Sequence, residues 1–204
     1  MSFYAEHVLP HLLNLAMRNR ELAGYRRRVV PAARGRVLEV GIGSGLNLPF
    51  YGSEAKEVIG LDPSLPLLEI AGKQARIGHR PVTMLQGSAE AIPLEDASVD
   101  TVLTTWSLCT IPNAHAALTE MRRVLKPAGD LVFVEHGKAP DRSVARWQDR
   151  IAPLWRPLAG GCHLNRPIAA LIEGAGFTMN DLRCGYARGP QPFTFMYEGR
   201  AKRA

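Results

Sequence analysis

From residue 36 onward, short apolar runs alternate with stretches whose apolar residues recur every three or four positions. The runs Arg36–Val40, Glu57–Asp62, Val82–Gln86, Val99–Thr105 and Leu131–Val134 predict five strands, and Val99–Thr105 reads as one buried on both faces. A helix-like pattern follows the glycines after Val40. Ser64 caps a helix with Pro66 in its first turn, which runs through Leu67, Leu68, Ile70 and Ala71 to about Ile77. Asn113 caps another, with Ala117, Leu118, Met121 and Leu125 on its apolar side, and Lys126-Pro127-Ala128-Gly129 stops it. A helix over Pro167–Gly174 precedes two closing strands, Thr178–Cys184 and Phe193–Tyr197. The alternation predicts an α/β fold, a parallel sheet with helices on both faces.

Two stretches fall outside that alternation. Tyr4 to about Arg28 carries Val8, Leu9, Leu12, Leu13, Ala16 and Met17 at helical spacing, and predicts one or two helices that either cap a ligand mouth or cover the sheet. Residues 137–161 show no strand pattern and hold Pro140, Pro153 and Pro157 beside Trp147 and Trp155. This is expected to be an insertion roofing a substrate pocket, and an apolar roof suits a lipophilic small molecule.

The chemistry concentrates at Val37-Leu38-Glu39-Val40-Gly41-Ile42-Gly43-Ser44-Gly45. A strand ending in an acid and a glycine turn suits close approach of a nucleotide-like ligand at the carboxyl end of a parallel sheet. A P-loop would close with Gly-Lys-Ser/Thr, which is absent, and the third glycine comes one residue early for a dinucleotide fingerprint. Asp62 ends the second strand, 17 residues after Gly45, where a carboxylate can accept both ribose hydroxyls. Glu39 lies beside the turn, placed to help hold a cationic end of the ligand.

These residues carry a resemblance. Leu38 to Gly45 resembles the first motif of class I S-adenosylmethionine-dependent methyltransferases, and Ile59-Gly60-Leu61-Asp62-Pro63-Ser64 their second. Gly87-Ser88-Ala89-Glu90-Ala91-Ile92-Pro93 is similar to the adenine-side segment, though many relatives carry Asp where Ser88 stands. Asp96-Ala97-Ser98-Val99-Asp100 and Met121 to Gly129 complete the type 11 pattern. The resemblance implies a Rossmann-like, seven-stranded, mostly parallel sheet whose last strand is antiparallel. It divides the chain into an N-terminal helical cap over 1–35 and a methyltransferase domain over 36–204, with a cap insertion at about 137–166. The implied cofactor is S-adenosyl-L-methionine, with S-adenosyl-L-homocysteine as product, held by Glu39, Gly41, Gly43, Gly45, Asn47, Asp62, Pro63, Ser88, Ala89, Glu90 and Thr105.

Trp106-Ser107-Leu108-Cys109-Thr110-Ile111, Val134-Glu135-His136, Pro153-Leu154-Trp155 and Gly161-Cys162-His163-Leu164-Asn165-Arg166 are similar to the thiol S-methyltransferase-like branch. The resemblance implies a small, lipophilic methyl acceptor, preferably a thiol, with phospholipid or quinone methylation as the alternative within the class. A non-catalytic cofactor-binding or partner subunit is the alternative outside it. Trp106, Trp147, Trp155 and Arg166 are expected at the substrate pocket, with Arg188 or Arg166 facing any acidic group. His136 and His163 are the candidate catalytic residues, since a base or basic neighbour raises the thiolate fraction of an acceptor.

Composition narrows the partners. The chain has 204 residues and a net charge of +6, with arginines crowded early at 18, 20, 26, 27, 28, 34 and 36. The crowding reads as a solvated basic face, with an acidic substrate or a weak peripheral contact with an anionic membrane as the functional alternatives. No nucleic-acid module accompanies it. Relatives of the thiol branch carry an N-terminal membrane-anchoring segment that is not legible here, and no signal-peptide layout is present, so a cytoplasmic location is expected. Cys109, Cys162 and Cys184 show no zinc spacing, so neither a metal site nor a disulfide framework is expected. Nothing in the sequence sets an oligomeric state.

Overall fold

The computed structural model describes residues 17–78 and 80–204. Seven strands form one sheet: β1 (Gly35–Val40), β2 (Ala55–Asp62), β3 (Val82–Gln86), β4 (Val99–Thr105), β5 (Leu125–His136), β6 (Phe177–Tyr186) and β7 (Phe195–Arg203). Their order is β3-β2-β1-β4-β5-β7-β6. β1 to β5 pair in parallel, and β7 runs antiparallel to both its neighbours. This is the expected Rossmann-like sheet with an antiparallel last strand.

Strand alternation divides the core into two layers. Leu38, Val40, Val102, Leu131 and Phe133 face one side, against Ala117, Leu118 and Met121 of α3 (Ala114–Val124) and Ile168 and Ile172 of α5 (Ile168–Gly174). Val37, Leu103, Val132 and Val134 face the other, against Val29, Val30 and Ala33. Val29 ends α1 (Arg20–Val29), whose N-cap Asn19 accepts the Leu22 N–H. α1 therefore covers the sheet opposite α3. The Val8–Ala16 part of the predicted N-terminal helix lies outside the described residues. α2 (Leu65–Ala75) packs Leu68 and Ala71 on Ile42 of the glycine turn.

Four local expectations differ from the structure. The glycine turn leads into a single 3-10 turn, Leu48–Phe50, because Pro49 lacks an N–H and Tyr51 returns to extended backbone. α3 ends at Val124, and Leu125 is already paired with Val99 in β5; the register shift beyond it absorbs Lys126–Gly129. β7 starts at Phe195 and extends to Arg203, since Gln191–Phe193 is a 3-10 turn and Ala201 is fully buried. The insertion holds a long helix, α4 (Arg142–Leu158), with Pro153 and Pro157 inside it. Val144, Gln148 and Ala152, one turn apart, bury its inner face ahead of the two prolines. No helix among the described residues is long and apolar enough to cross a membrane.

Candidate active site

A cavity of about 600 Å³ opens at the carboxyl ends of β1, β2, β4 and β5. Gly41 and Gly43 form its floor with φ of +73° and +54°, a region costly for residues with a side chain. A Cβ on Gly41 would collide with the Ser107 hydroxyl, whereas one on Gly43 would meet no atom within 4 Å. Packing thus excludes a side chain at Gly41, whereas at Gly43 the positive φ alone favours glycine and the space beyond it is open. The Asp62 carboxylate accepts the Gly43 N–H and the Ser64 N–H, each at 2.9 Å, which locks its direction at the cavity wall. Burial raises its pKa, and the two N–H groups oppose that rise.

Pro63, Ser88, Ala89, Asn47 and Thr105 line the cavity with them. Gly45 packs against Ala71 instead. Glu90 stands behind Ser88 and accepts the Asn113 N–H at 2.6 Å, bracing the loop on the cap of α3. Glu39 is buried below the surface layer. Its carboxylate accepts the Asn47 amide at 2.8 Å and the Tyr51 hydroxyl at 2.7 Å. Burial pushes its pKa up to about 7, against the pull of Tyr51, Asn47 and Arg26. Glu39 therefore reaches the cavity through Asn47, which also donates to the Thr105 hydroxyl at 2.9 Å.

Arg26 is a site residue that charge counting places on the surface. It is buried, donates through Nε to Asn47 Oδ1 at 3.1 Å, and lies over the Trp106 ring. Burial pulls its pKa down to about 10, with Glu39 opposing. Its only sequence signal is the helical phase of α1. Other early arginines are also engaged: Arg28 pairs with Glu198, Arg34 with Asp130 and Arg36 with Glu57.

The other end of the cavity contains Trp106, Cys109, Ile111, His136, Trp155 and Cys162. Trp106 has φ +51°, and its buried indole N–H meets no hydrogen-bond partner among the described residues. His136 Nε2 lies 2.9 Å from Cys162 Sγ. The ligand atoms of Cys109, His136 and Cys162 all lie within 4.8 Å of one another. The Cys109 thiol, with His136 beside it, draws the Cys162 pKa down to about 4 against burial. Burial alone would lower His136, but the bond and charge of Cys162 outweigh it, so His136 moves up. The sequence does not join the two cysteines, since they sit on loops brought together only by the β4–β5 pairing and the return of α4.

The remaining expected pocket residues are placed elsewhere. Trp147 is 58% exposed and does not line the cavity, unlike Trp155 on the same helix, which packs against Phe193 with the rings tilted. Arg166 clamps the carbonyls of Leu108, Ile111 and Pro112 behind the pocket wall. The His163 N–H donates to the Cys109 carbonyl at 2.7 Å, while its ring does not line the cavity.

Residues 38–133 match the family model described as a methyltransferase domain. The human thiol S-methyltransferase TMT1B is 30% identical over 89% of this chain and 77% of its own length. The phosphatidylethanolamine N-methyltransferase of Cereibacter sphaeroides is 35% identical over 62% of this chain and 68% of its own. Among solved structures, a SAM-dependent methyltransferase from Thermotoga maritima superposes with a TM-score of 0.69, covering 98% of this chain and all of that one at 23% identity. The chain belongs to the S-adenosylmethionine-dependent methyltransferase family, and S-adenosylmethionine is its cofactor. The open space at Gly43 and the fixed Asp62 carboxylate suit that molecule.

Proposed function

We propose that this protein transfers a methyl group to a small lipophilic thiol. The observation that carries the reading is the make-up of the acceptor end: Trp106, Ile111 and Trp155 surround two thiols and one imidazole, and among the described residues no carboxylate lines that end. Such a surface favours a soft, apolar acceptor over a charged one. The identity to thiol S-methyltransferases over most of the chain supports the same class.

When bound, the cofactor supplies an electrophilic methyl on a sulfonium, with a neutral thioether as leaving group. Asp62 would accept the ribose hydroxyls, each oxygen keeping a lone pair beyond the N–H it already holds. Gly43 gives the close backbone approach, and Asn47, oriented by Glu39 and Arg26, presents its amide edge near the methionine end. Pro63, Ser88 and Ala89 would flank the adenine. Trp106 and Trp155 exclude water, so the chain contributes mainly alignment and desolvation. His136, rather than His163, is the imidazole at the acceptor end.

A phospholipid amine is the second reading, favoured by the identity to the Cereibacter enzyme. Incubation with methyl-labelled cofactor and a panel of thiols, phospholipids and quinols tests both. Label on lipophilic thiols is expected. Label only on a phospholipid or quinol would replace the thiol reading, and binding without any transfer would leave a cofactor-binding subunit.

A further inference from the structure

We propose that Cys109 Sγ, His136 Nε2 and Cys162 Sγ form a zinc site whose fourth position opens into the acceptor end of the cavity. The three ligands come from the loop after β4, the end of β5 and the loop after α4, and all three line the cavity. Two thiolates and an imidazole with one open position are a donor set of catalytic zinc. Zinc bonds of about 2.3 Å to sulfur and about 2.0 Å to nitrogen place tetrahedral ligand atoms roughly 3.5–3.8 Å apart. The observed set spans 2.9 Å for His136–Cys162 to no more than 4.8 Å, so shifts of about 1 Å or less close it.

The surroundings suit a cation. Glu135 is fully buried under the Trp106–Cys109 turn, near enough to Cys109 and His136 to act on their charge. Its Oε1 accepts the Thr104 hydroxyl and the Ser107 N–H, while Oε2 meets no hydrogen-bond partner among the described residues. Arg166 is the opposing charge, and its guanidinium is turned to the carbonyls of Leu108, Ile111 and Pro112. Zinc takes both sulfurs as thiolates and the imidazole neutral, so the protons the three groups still hold leave to water on binding.

The fourth position gives the site its use, and that part alone rests on the thiol-acceptor reading. A substrate thiol displaces zinc-bound water, forms a zinc–sulfur bond and gives its proton to solvent. The acceptor is then held as a thiolate without a separate base. A thioether is a far weaker zinc ligand, so the methylated product departs.

The test is metal binding without cofactor or acceptor, so its failure and failure of the thiol panel are separate outcomes. Reduced protein is equilibrated with buffered zinc and analysed by mass spectrometry for metal content, and cobalt is titrated as a spectroscopic probe. One zinc per chain and a thiolate-to-cobalt charge-transfer band with tetrahedral visible bands are expected. Cys109→Ser and Cys162→Ser should each weaken binding at least tenfold, with Cys184→Ser unchanged. The wild-type cobalt spectrum decides the matter even if a variant fails to fold. Zinc far below one per chain, or unaltered in both variants, overturns the site. Cobalt bands unmoved by a saturating small thiol overturn the open fourth position.

Discussion

The Arg26 guanidinium lies 4.8 Å from the centre of the Trp106 ring, so the helix preceding the sheet forms part of the cavity wall. The same side chain holds Asn47, which ties it to Glu39. Arg26→Ala would leave Asn47 Oδ1 without its donor and Glu39 without the nearby positive charge. A loss of about 3 kcal/mol is expected, the scale for breaking a buried charged network. Thermal melts should show it, with weaker binding of S-adenosylhomocysteine.

Asp62 and Gly43 separate ligand contact from fold. Asp62→Asn keeps an acceptor for one of the two N–H groups, so a melt within a few degrees of wild type is expected. Its calorimetric affinity for S-adenosylhomocysteine should fall at least tenfold, because charge-assisted bonds to the ribose hydroxyls are lost. Unchanged affinity would remove Asp62 from the ribose role.

Gly43→Ala and Gly41→Ala should behave differently. At Gly43 the new methyl meets nothing, so folding loses only about 1 kcal/mol for the positive φ, while the ligand loses its seat. At Gly41 the methyl meets Ser107, and the fold itself should suffer. Equal melts for the two variants would contradict this division.

Glu39 sets a pH dependence in the protein without ligand. Its pKa is about 7 in the fold against an ordinary 4.5, so the native state holds the extra proton between those values. Unfolding there releases it, and stability falls as pH rises from about 4.5 through 7. The difference amounts to roughly 3 kcal/mol. Arg26 and Asp62 are the neighbouring charges, alongside the Tyr51 hydroxyl. Glu39→Gln should reduce the slope of this part of the stability profile, measured by urea unfolding at several pH values. The share of buried Glu135, whose pKa burial also pushes up to about 7, should remain. An unaltered slope would contradict the assignment.

The sequence made the cofactor side legible because backbone and side chains of short contiguous segments build it: Gly41 to Asn47, Asp62 to Ser64, and Gly87 to Ala89. The acceptor side was less legible. Cys109, His136 and Cys162 meet only because β4 and β5 are neighbours and α4 returns the chain over them. Trp147 and Trp155 looked alike while Pro153 and Pro157 hid α4; once the helix is known, its phase turns one outward and the other inward. Arg26 read as one arginine of a charged cluster, because the buried partner that claims it, Asn47, belongs to a distant turn.

The most direct measurement compares an alkanethiol with the alcohol of the same hydrocarbon skeleton, following S-adenosylhomocysteine formation and the mass of the methylated product. The two acceptors fill the cavity alike and differ only in the reacting atom. Methylthioether from the thiol, with no ether from the alcohol, is the predicted result. No product from the thiol, while an amine or quinol acceptor is methylated, would contradict thiol methylation as the activity of this protein.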